Sequence, residues 1–133
     1  VFELDRDQIK RMLTNLLDNA VGAIDGKGEI KLETTFIEPL QIARIEVADS
    51  GAGIPLNDRD RVFEPDFSTK KGGSGLGLSI VRQIVNDHYG YIRFRNNIPR
   101  GTVFVIELPI HIPRFGLAQK DDSRAASGGE DRL

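Results

Sequence analysis

Two stretches of the chain repeat apolar residues at intervals of three and four, the spacing of a helix with one buried face. The first covers residues 5–25 and is ended by Gly26. The second begins at Leu78, and Gly90 is placed to stop it. A shorter piece, residues 57–63, is long enough for one or two helical turns. The pattern therefore predicts two main helices, one on each side of a long connection.

Four other stretches alternate apolar and polar residues, which is typical of β-strands with one buried face. These predicted strands cover residues 29–37, 42–47, 91–95 and 103–108. Pro39 falls between the first two, which we expect to form a hairpin of half-buried strands. The order is helix, two strands, a glycine-rich connection, helix and two strands. This order predicts an α+β fold with the helices on one face of a mostly antiparallel sheet.

The composition is that of an ordinary globular domain and excludes several kinds of function. The 133 residues give room for one domain. With 18 Lys and Arg against 20 Asp and Glu, the net charge is −2, so we expect no surface for nucleic acid and no membrane contact. The absence of Cys removes disulfides, thiolate nucleophiles and the usual zinc sites. No apolar run approaches the ~18 residues of a membrane-spanning helix.

Both ends of the chain indicate boundaries. No secretory leader precedes Val1. Because the chain starts at Val rather than Met, we expect a fragment of a longer protein. After Pro113, large apolar residues are almost absent. Such a segment buries too little surface to offset its ordering entropy. We therefore expect residues 1–113 to form the domain and residues 114–133 a disordered tail.

Glycine is concentrated in the middle of the chain. Six of the 14 glycines fall within residues 51–77, where a background of roughly 7% would place about two. Gly51 and Gly53 follow Asp49, which ends a predicted strand. This pattern fits a simple Asx turn. It also fits a site in which the Asp49 carboxylate accepts a hydrogen bond from an exocyclic amine, as adenine but not guanine presents, while the glycines admit a flat ring.

The second part of the cluster, Lys70–Leu78, leads into the second helix. Free main-chain N–H groups at a helix N-terminus form an anion site, and nearby lysines add charge. A flexible solvent loop is the other interpretation. A Walker loop is excluded because the lysines precede the glycines, and a dinucleotide-binding fingerprint because no strand precedes them.

The first helix carries Asn15 and Asn19 on one stripe. At ~100° per residue they lie within about 40° of each other, roughly 150° from the centre of an apolar stripe at Leu13, Ala20 and Ile24. We therefore expect both carboxamides on the face nearly opposite the core. Such a face is often only solvated. The functional interpretation is an oxygen ligand for Mg²⁺, completed by phosphate and water.

In this order and spacing, these segments resemble the catalytic, ATP-binding domain of bacterial two-component sensor histidine kinases, of the GHKL superfamily. The family's N box, first glycine box, F box, second glycine box and Gly-Thr box correspond to Asn15–Ala20, Asp49–Ile54, Val62–Phe67, Gly73–Leu78 and Gly101–Pro109. The resemblance covers residues 3–110 and implies the Bergerat fold, a two-layer α/β sandwich with a mixed, mostly antiparallel sheet. Its short lid segment is most similar to the nitrogen-regulation branch, which is NtrY/NtrB-like.

The resemblance implies roles for individual residues. Asn19 would give its side-chain oxygen to Mg²⁺, and Asn15, one turn earlier, would contact the phosphates. Asp49 would bind the adenine amine. The other nucleotide-site residues are Gly51, Gly53 and Ile54 at the base, Phe63 and Phe67 as anchors of the lid, Gly73, Ser74, Gly75, Leu76, Gly77 and Leu78 around the triphosphate, and Thr102 beside the adenine pocket.

The implied activity is transfer of the γ-phosphoryl group of ATP to a histidine on a separate domain. Related ATPases have a Glu as general base where this chain has Asn15, and an amide cannot take that proton, so efficient hydrolysis is not expected. We expect a structural role for His88, and His111 lacks the surroundings of an acceptor. A GHKL-type ATPase and a non-catalytic nucleotide-sensing module are the alternatives.

One position departs from the family's pattern. Many relatives have Lys or Arg three residues after the Mg²⁺-binding Asn, where this chain has Gly22. We expect Lys70 to supply this catalytic cation from the lid, with Arg11 the weaker candidate.

The resemblance also implies the partners. They are the dimerisation and phosphoacceptor domain of the same kinase, a downstream response regulator and, for the parent protein, a second copy in a homodimer. The domain would lie in the cytoplasm, whether or not the parent is anchored in the inner membrane.

Overall fold

The computed structural model describes residues 5–65 and 77–110. Two helices, α1 and α2, pack on a sheet of four strands, β1 to β4. In chain order the elements are α1 (Arg6–Ala23), β1 (Ile30–Ile37), a 3₁₀ helix (Glu38–Leu40), β2 (Ile42–Asp49), a second 3₁₀ helix (Leu56–Arg61), α2 (Gly77–Asp87), β3 (Tyr91–Asn96) and β4 (Thr102–Pro109). The predicted tail, residues 114–133, lies outside the described residues and stays a prediction.

The sheet has the strand order β1-β2-β4-β3, and each pairing between these described strands is antiparallel. This order places β2 and β4 at the centre. Ile106 of β4, for example, lies opposite Ile45 of β2 on one side and Ile92 of β3 on the other. The predicted α/β sandwich is confirmed, with both helices against one face of the sheet.

The core lies between the two helices and that face of the sheet. Its buried apolar residues include Met12, Leu16 and Ala20 of α1, Val81, Ile84 and Val85 of α2, Ile45 and Val47 of β2, and Phe104, Ile106 and Leu108 of β4. Full burial of one large apolar side chain contributes about 1.5–3 kcal/mol. This cluster is therefore what holds the elements carrying the candidate site together.

Charged side chains cover the opposite face of the sheet. Val103 and Val105 of β4 are only 2% and 1% exposed. The neighbours of Val105 on the adjacent strands are Glu46 and Arg93, and Arg95 forms an ion pair with Glu46 at 3.2 Å. Arginine buries its aliphatic stem while its head stays in water. These stems therefore shield the valines from solvent.

β1 differs from the prediction of two half-buried strands. β2 alternates between buried and half-buried residues near its end, but residues 30–36 of β1 are all exposed. β1 lies at the edge of the sheet, and of the strands α1 packs chiefly against β2. The alternation of Ile30, Leu32 and Phe36 thus identifies a strand correctly. The apolar side of this strand stays exposed because β1 lies at the edge of the sheet, where α1 does not cover it.

α2 ends at a left-handed residue that is not the predicted glycine. Tyr89 has a φ of 61°, and the main-chain N–H groups of Tyr89 and Gly90 donate to the carbonyls of Asn86 and Val85 at 3.0 and 2.9 Å. This is a Schellman motif. Gly90 is required for a different reason, because a Cβ there would lie 2.4 Å from the carbonyl oxygen of Glu107. The glycine lets the chain pass close to β4.

His88 joins the C-terminal end of α2 to the N-terminal end of α1. Its Nδ1 lies 2.8 Å from the carbonyl oxygen of Ile84, and its Nε2 accepts a hydrogen bond from the main-chain N–H of Asp5 at 3.1 Å. An imidazole that donates through Nδ1 and accepts through Nε2 is neutral. His88 is therefore a structural residue. The contact places the C-terminal end of α2 beside the N-terminal end of α1, and both helices contribute residues to one core.

Candidate functional site

Asp49 is the last residue of β2, and only 1% of its surface is exposed. Its Oδ1 accepts hydrogen bonds from the main-chain N–H groups of Gly51 at 2.8 Å and Thr102 at 3.3 Å. A buried carboxylate needs such donors because removing its charge from water is costly. Within the described residues, both bonds go to Oδ1. The two N–H groups thus fix the rotation of the carboxyl group and leave Oδ2 for another partner.

Thr102 can donate to Asp49 because the ladder between β2 and β4 ends one residue earlier. The last pair of that ladder is Ala48 with Val103. Thr102, which is 5% exposed, directs its N–H to the Asp49 side chain instead. Asp49 and Thr102, which the sequence placed in one site, therefore meet although they are 53 positions apart.

The two glycines after Asp49 differ in the space around them. A Cβ on Gly51 would lie 2.3 Å from the carbonyl oxygen of Ala23, the last residue of α1. Gly53 has a φ of +80°, and the nearest atom to its Cβ position is the carbonyl oxygen of Gly101 at 3.7 Å. Ile54 follows, packed against the core. Gly51 therefore lets the loop contact α1, and Gly53 leaves open space.

Asn15 and Asn19 lie on the flank of the buried face of α1, not nearly opposite it as the sequence predicted. That face is formed by Met12, Leu16 and Ala20, each at most 2% exposed. At 3.6 residues per turn the two asparagines lie roughly 60–100° from its centre, and both are half-buried. The sequence pattern included apolar residues that only border the core, whereas packing against α2 and β2 selects these three.

The carboxamides of Asn15 and Asn19 have no hydrogen-bond partner within the described part of the chain. The main-chain N–H of Ala52 donates to the carbonyl of Ala23 at 3.0 Å, so the C-terminal end of α1 contacts the loop after Asp49. With a rise of about 1.5 Å per residue, Asn19 and Asn15 lie about 6 and 12 Å farther along the helix axis. Along the axis of α1, Asn15 is thus farther than Asn19 from the helix end that contacts the loop after Asp49.

The second helix, α2, packs alongside α1. α2 begins at Gly77, and His88 holds its C-terminal end to Asp5. Its 11 residues cover about 16 Å along the helix axis. A helix N-terminus carries unpaired N–H groups and the positive end of the helix dipole. This positive end of α2 is the end away from the contact between His88 and Asp5.

Phe63, predicted to anchor the lid, belongs to an aromatic cluster. Its ring centroid lies 6.0 Å from that of Phe94 and 6.2 Å from that of Phe104, both in edge-to-face contact. The guanidinium of Arg82 in α2 lies 5.9 Å from the centroid of the Phe63 ring. Phe63 is thus fixed to both the sheet and α2.

The predicted phosphate segment is described only at its end. Gly77 and Leu78 begin α2, and Leu78 packs against the core. The other predicted members of the lid and phosphate segment lie outside the described residues: Phe67, Lys70, Gly73, Ser74, Gly75 and Leu76. Their roles stay predictions.

The turn between β3 and β4 makes contacts that the sequence did not predict. Asn97 Nδ2 donates to the main-chain carbonyl of Asp49 at 2.8 Å, and Arg100 Nε donates to that of Gly51 at 2.8 Å. The Asn, Pro and Gly residues of this segment predict a turn. They contain no signal of which loop the turn contacts, because the partners lie 48 and 49 positions away.

The model of the family described as histidine kinase-, DNA gyrase B-, and HSP90-like ATPase matches residues 4–112. The chain belongs to this family. The matched range contains each candidate site residue named above, from Asn15 to Thr102. The family expected from the five sequence boxes is thus confirmed.

Relatives of this ATPase-family chain include named histidine kinases. AtoS of Escherichia coli K12 is 40% identical over 107 residues, and the sensory histidine kinase/phosphatase NtrB of Rhodobacter capsulatus is 37% identical over 117 residues. Each comparison covers 80% of this chain but only 17% of AtoS and 33% of NtrB. The chain therefore spans a third or less of these curated relatives.

Solved structures of histidine kinases have the same fold. The catalytic domain of ThkA matches with a TM-score of 0.73 and 40% identity, over 82% of this chain and 70% of that chain. In a second structure, ThkA is in complex with the response regulator TrrA. That match has a TM-score of 0.67 and 37% identity, over 80% of this chain and 30% of that chain. The ATPase-family domain here is thus similar in sequence and in fold to histidine kinase catalytic domains.

Residues 5–65 and 77–110 contain neither a metal-ligating cluster nor a membrane-spanning helix. No group of three or more His, Cys, Asp and Glu residues in these ranges is arranged to hold a metal ion. No helix in the same ranges is long and apolar enough to cross a membrane.

Proposed function

We propose that this chain is the catalytic domain of a sensor histidine kinase, which binds Mg²⁺-ATP and transfers the γ-phosphoryl group to a histidine on a dimerisation domain. The observation that carries the proposal is the buried Asp49 carboxylate, oriented by two main-chain N–H groups at the end of β2. Membership of the ATPase family and similarity to AtoS and NtrB support the same activity.

Asp49 is the adenine-recognising residue of the proposed site. Its Oδ2 accepts a hydrogen bond from the exocyclic amine of the base. Its Oδ1 keeps the hydrogen bonds from the main-chain N–H groups of Gly51 and Thr102. Guanine presents an oxygen in place of this amine, and an unpaired buried acceptor costs about 1–3 kcal/mol. The open space beside Gly53 receives the ring, with Ile54 at its edge.

Asn19 and Asn15 serve the phosphate end. A half-buried carboxamide oxygen without a partner among the described residues suits Mg²⁺, which prefers oxygen ligands and keeps several waters. We assign Asn19 as the Mg²⁺ ligand and Asn15 as a phosphate contact. When bound, the ion neutralises charge on the phosphates during transfer. The N-terminus of α2, from Gly77 onward, offers N–H groups to the phosphate oxygens.

The amide of Asn15 favours phosphoryl transfer over hydrolysis. A carboxylate at this position would accept a proton from an attacking water, and a carboxamide does not. The site therefore holds ATP until a nucleophile from another domain arrives. Its own residues act by positioning the γ-phosphoryl group and stabilising its charge.

Lys70 is proposed to supply the phosphate-binding cation that many relatives have at the position of Gly22. Lysine is a mobile point charge suited to phosphate, and Lys70 lies seven positions before Gly77, the first residue of α2. Replacement by Ala should weaken ATP binding and slow transfer. Wild-type affinity and rate in Lys70→Ala would remove this assignment while leaving the nucleotide site itself intact.

The proposed partners follow from the activity. They are the phosphoacceptor and dimerisation domain of the same kinase, a response regulator that receives the phosphoryl group, and a second copy of the parent in a homodimer. The complex of ThkA with TrrA supports the second of these. The proposed location of the domain is the cytoplasm.

The decisive experiment combines binding with transfer. Calorimetry with a non-hydrolysable ATP analogue, with Mg²⁺ and with EDTA, measures the site. Labelled ATP mixed with this chain and the histidine-bearing helices of the same kinase measures transfer. Asp49→Asn is the sharper variant than Asp49→Ala, because Asn still accepts from Gly51 and Thr102 through its Oδ1 but presents an NH₂ group to the base.

Each outcome of this experiment selects one function. Mg²⁺-dependent binding and a labelled histidine, both lost in Asp49→Asn, establish the kinase. Steady release of phosphate by the chain alone would identify an ATPase. Binding without Mg²⁺ dependence and without transfer would identify a nucleotide-sensing module.

A further inference from the structure

We infer that Asn97, in the turn between β3 and β4, is a positioning residue that sets the preference of the site for adenine by holding Asp49. The inference rests on the proposed role of Asp49 as the adenine-recognising residue. It assigns a function to a turn that lies outside the five sequence boxes except at its end, Gly101–Thr102.

Three polar groups of Asn97 form hydrogen bonds within the described residues. Its Nδ2 donates to the main-chain carbonyl of Asp49 at 2.8 Å, and its Oδ1 accepts from the main-chain N–H of Ile98 at 2.9 Å. Its own N–H donates to the carbonyl of Gly101 at 2.9 Å. The carboxamide is therefore held in one orientation, with its donor directed at Asp49.

Two further contacts place the same turn against Asp49. A Cβ on Gly101, which has a φ of +105°, would lie 1.9 Å from the carbonyl oxygen of Asp49, so the two backbones touch. The next residue, Thr102, donates its N–H to the Asp49 carboxylate at 3.3 Å. The turn thus contacts both the main-chain carbonyl and the side chain of this one residue.

Arg100 forms a further hydrogen bond from this turn to the loop that follows Asp49. Its Nε donates to the carbonyl of Gly51 at 2.8 Å, while the N–H of Gly51 donates to Asp49 Oδ1 at 2.8 Å. The peptide groups around Asp49 are therefore fixed from the β3–β4 side at two points. Both donors to the carboxylate, Gly51 and Thr102, depend on the position of this turn.

The consequence for the base follows from the geometry of hydrogen bonding. The carboxylate discriminates between an amine and an oxygen only while Oδ2 points at the base with Oδ1 already paired. If the Asn97 bond is lost, the turn relaxes, Thr102 moves from Oδ1, and the carboxylate gains freedom to rotate. Discrimination then falls, since a rotated carboxylate neither pairs well with adenine nor opposes guanine.

The test compares Asn97→Ala with Asn96→Ala in this 133-residue chain. Asn96 is the matched control because its Oδ1 accepts from Arg59 in the same region, and among the described residues its side chain forms no hydrogen bond with Asp49. Competition titrations give the dissociation constants of β,γ-imido analogues of ATP and GTP, and thermal melting gives Tm. We expect Asn97→Ala to lower the ATP-to-GTP affinity ratio about 3- to 10-fold, whereas Asn96→Ala leaves the ratio unchanged even where Tm falls.

Two further variants separate positioning from folding and from the adenine proposal. Asn97→Asp keeps the shape of the side chain but turns an acceptor toward the Asp49 carbonyl, so the ratio should fall at least as far. In an Asp49→Asn background, Asn97→Ala should change the ratio no further, since the group on which it acts is gone.

The outcomes are distinguishable. An unchanged ratio in both Asn97 variants overturns the inference and leaves the proposed function standing. Failure of both Asn97 variants to fold also overturns it, because Asn97 is then a folding residue. If Asp49→Asn itself keeps the full preference for the ATP analogue, the adenine role of Asp49 is overturned and the inference falls with it.

Discussion

The main chain of Gly51 lies directly against the carbonyl oxygen of Ala23, at a distance that leaves no room for a side chain. A Cβ on Gly51 would be 2.3 Å from that oxygen and 2.6 Å from its carbon. The adjacent N–H of Ala52 donates to the same carbonyl at 3.0 Å. This contact joins the end of the helix that carries Asn19 to the loop that carries Asp49, and so fixes the spacing of the two ends of the site.

Gly51→Ala should therefore separate α1 from the loop. Because the opposing atoms are main-chain atoms that cannot rotate away, we expect a loss of about 1–3 kcal/mol in the free energy of unfolding, together with weaker binding of an ATP analogue. Urea denaturation and calorimetry measure the two effects. Gly77→Ala is the control for stability, since a Cβ there meets no described atom within 4 Å. Equal stability of Gly51→Ala and wild type would contradict the close contact.

The left-handed residue at the end of α2 gives a stabilising substitution. Tyr89 has a φ of 61° and is 82% exposed, so its side chain adds little packing while its backbone is strained. Tyr89→Gly should relieve this strain and raise the free energy of unfolding by about 0.5–1 kcal/mol. The midpoint of urea denaturation measures the change.

Gly90→Ala, at the next position, should have the opposite effect on stability. Its Cβ would lie 2.4 Å from the carbonyl oxygen of Glu107 and 2.8 Å from a methyl group of Leu108. We expect a loss of about 1–3 kcal/mol. If instead Gly90→Ala is tolerated and Tyr89→Gly destabilises, the assignment of the left-handed position to Tyr89 is wrong.

The sequence was sufficient for the elements but not for the contacts between distant ones. Periodicity located α1, α2 and the four strands because local spacing reflects which face is buried. It did not reveal that β1 lies at an edge beyond α1, or that Met12, Leu16 and Ala20 are the buried stripe. Both depend on where other elements pack, which no local pattern contains.

In the candidate site too, the sequence predicts the motif residues but not the contacts made by residues outside the motifs. Asp49 and Thr102 were predicted from their motifs, and the structure places them in hydrogen-bond contact. Asn97 and Arg100 were not predicted, because Asn and Arg in a turn are commonplace. The sequence also did not distinguish the packing role of Gly51 from the open space at Gly53.

Glu107 makes part of the stability dependent on pH. A hydrogen bond from Arg44 lowers the pKa of its carboxyl group from the ordinary value, against the opposing effect of burial, and Arg93 lowers it further. Because the folded-state pKa is depressed, the charged form stabilises the fold above the ordinary carboxyl value of about 4.3. This contribution is lost as the pH falls through the lower folded-state pKa.

Glu107→Gln should therefore cost stability at neutral pH but not in acid. We expect a loss of about 1 kcal/mol at pH 7, with the difference from wild type shrinking as the pH falls below about 4. Thermal melts across this range measure the difference. Glu64→Gln, at an exposed position, is the control for the loss of one carboxylate from the chain. A constant difference at each pH would contradict a role for the ionised carboxylate.

Asn19→Ala tests the phosphate end separately from the adenine end. The carboxamide has no hydrogen-bond partner within the described residues and is only half-buried, so its removal should change Tm little. If Asn19 is the Mg²⁺ ligand, wild-type affinity for an ATP analogue should fall when EDTA replaces Mg²⁺. The affinity of Asn19→Ala should already be at least about 10-fold lower and insensitive to EDTA.

The control for Asn19→Ala is Asn86→Ala, which removes an exposed carboxamide from the other helix. Its affinity and Mg²⁺ dependence should match those of wild type. Asn15→Ala should weaken binding with and without Mg²⁺ alike, because a direct phosphate contact does not require the ion. A variant of Asn19 that keeps the wild-type response to EDTA would transfer the metal-binding role to another residue, with Asn15 the next to test, while leaving the adenine end unaffected.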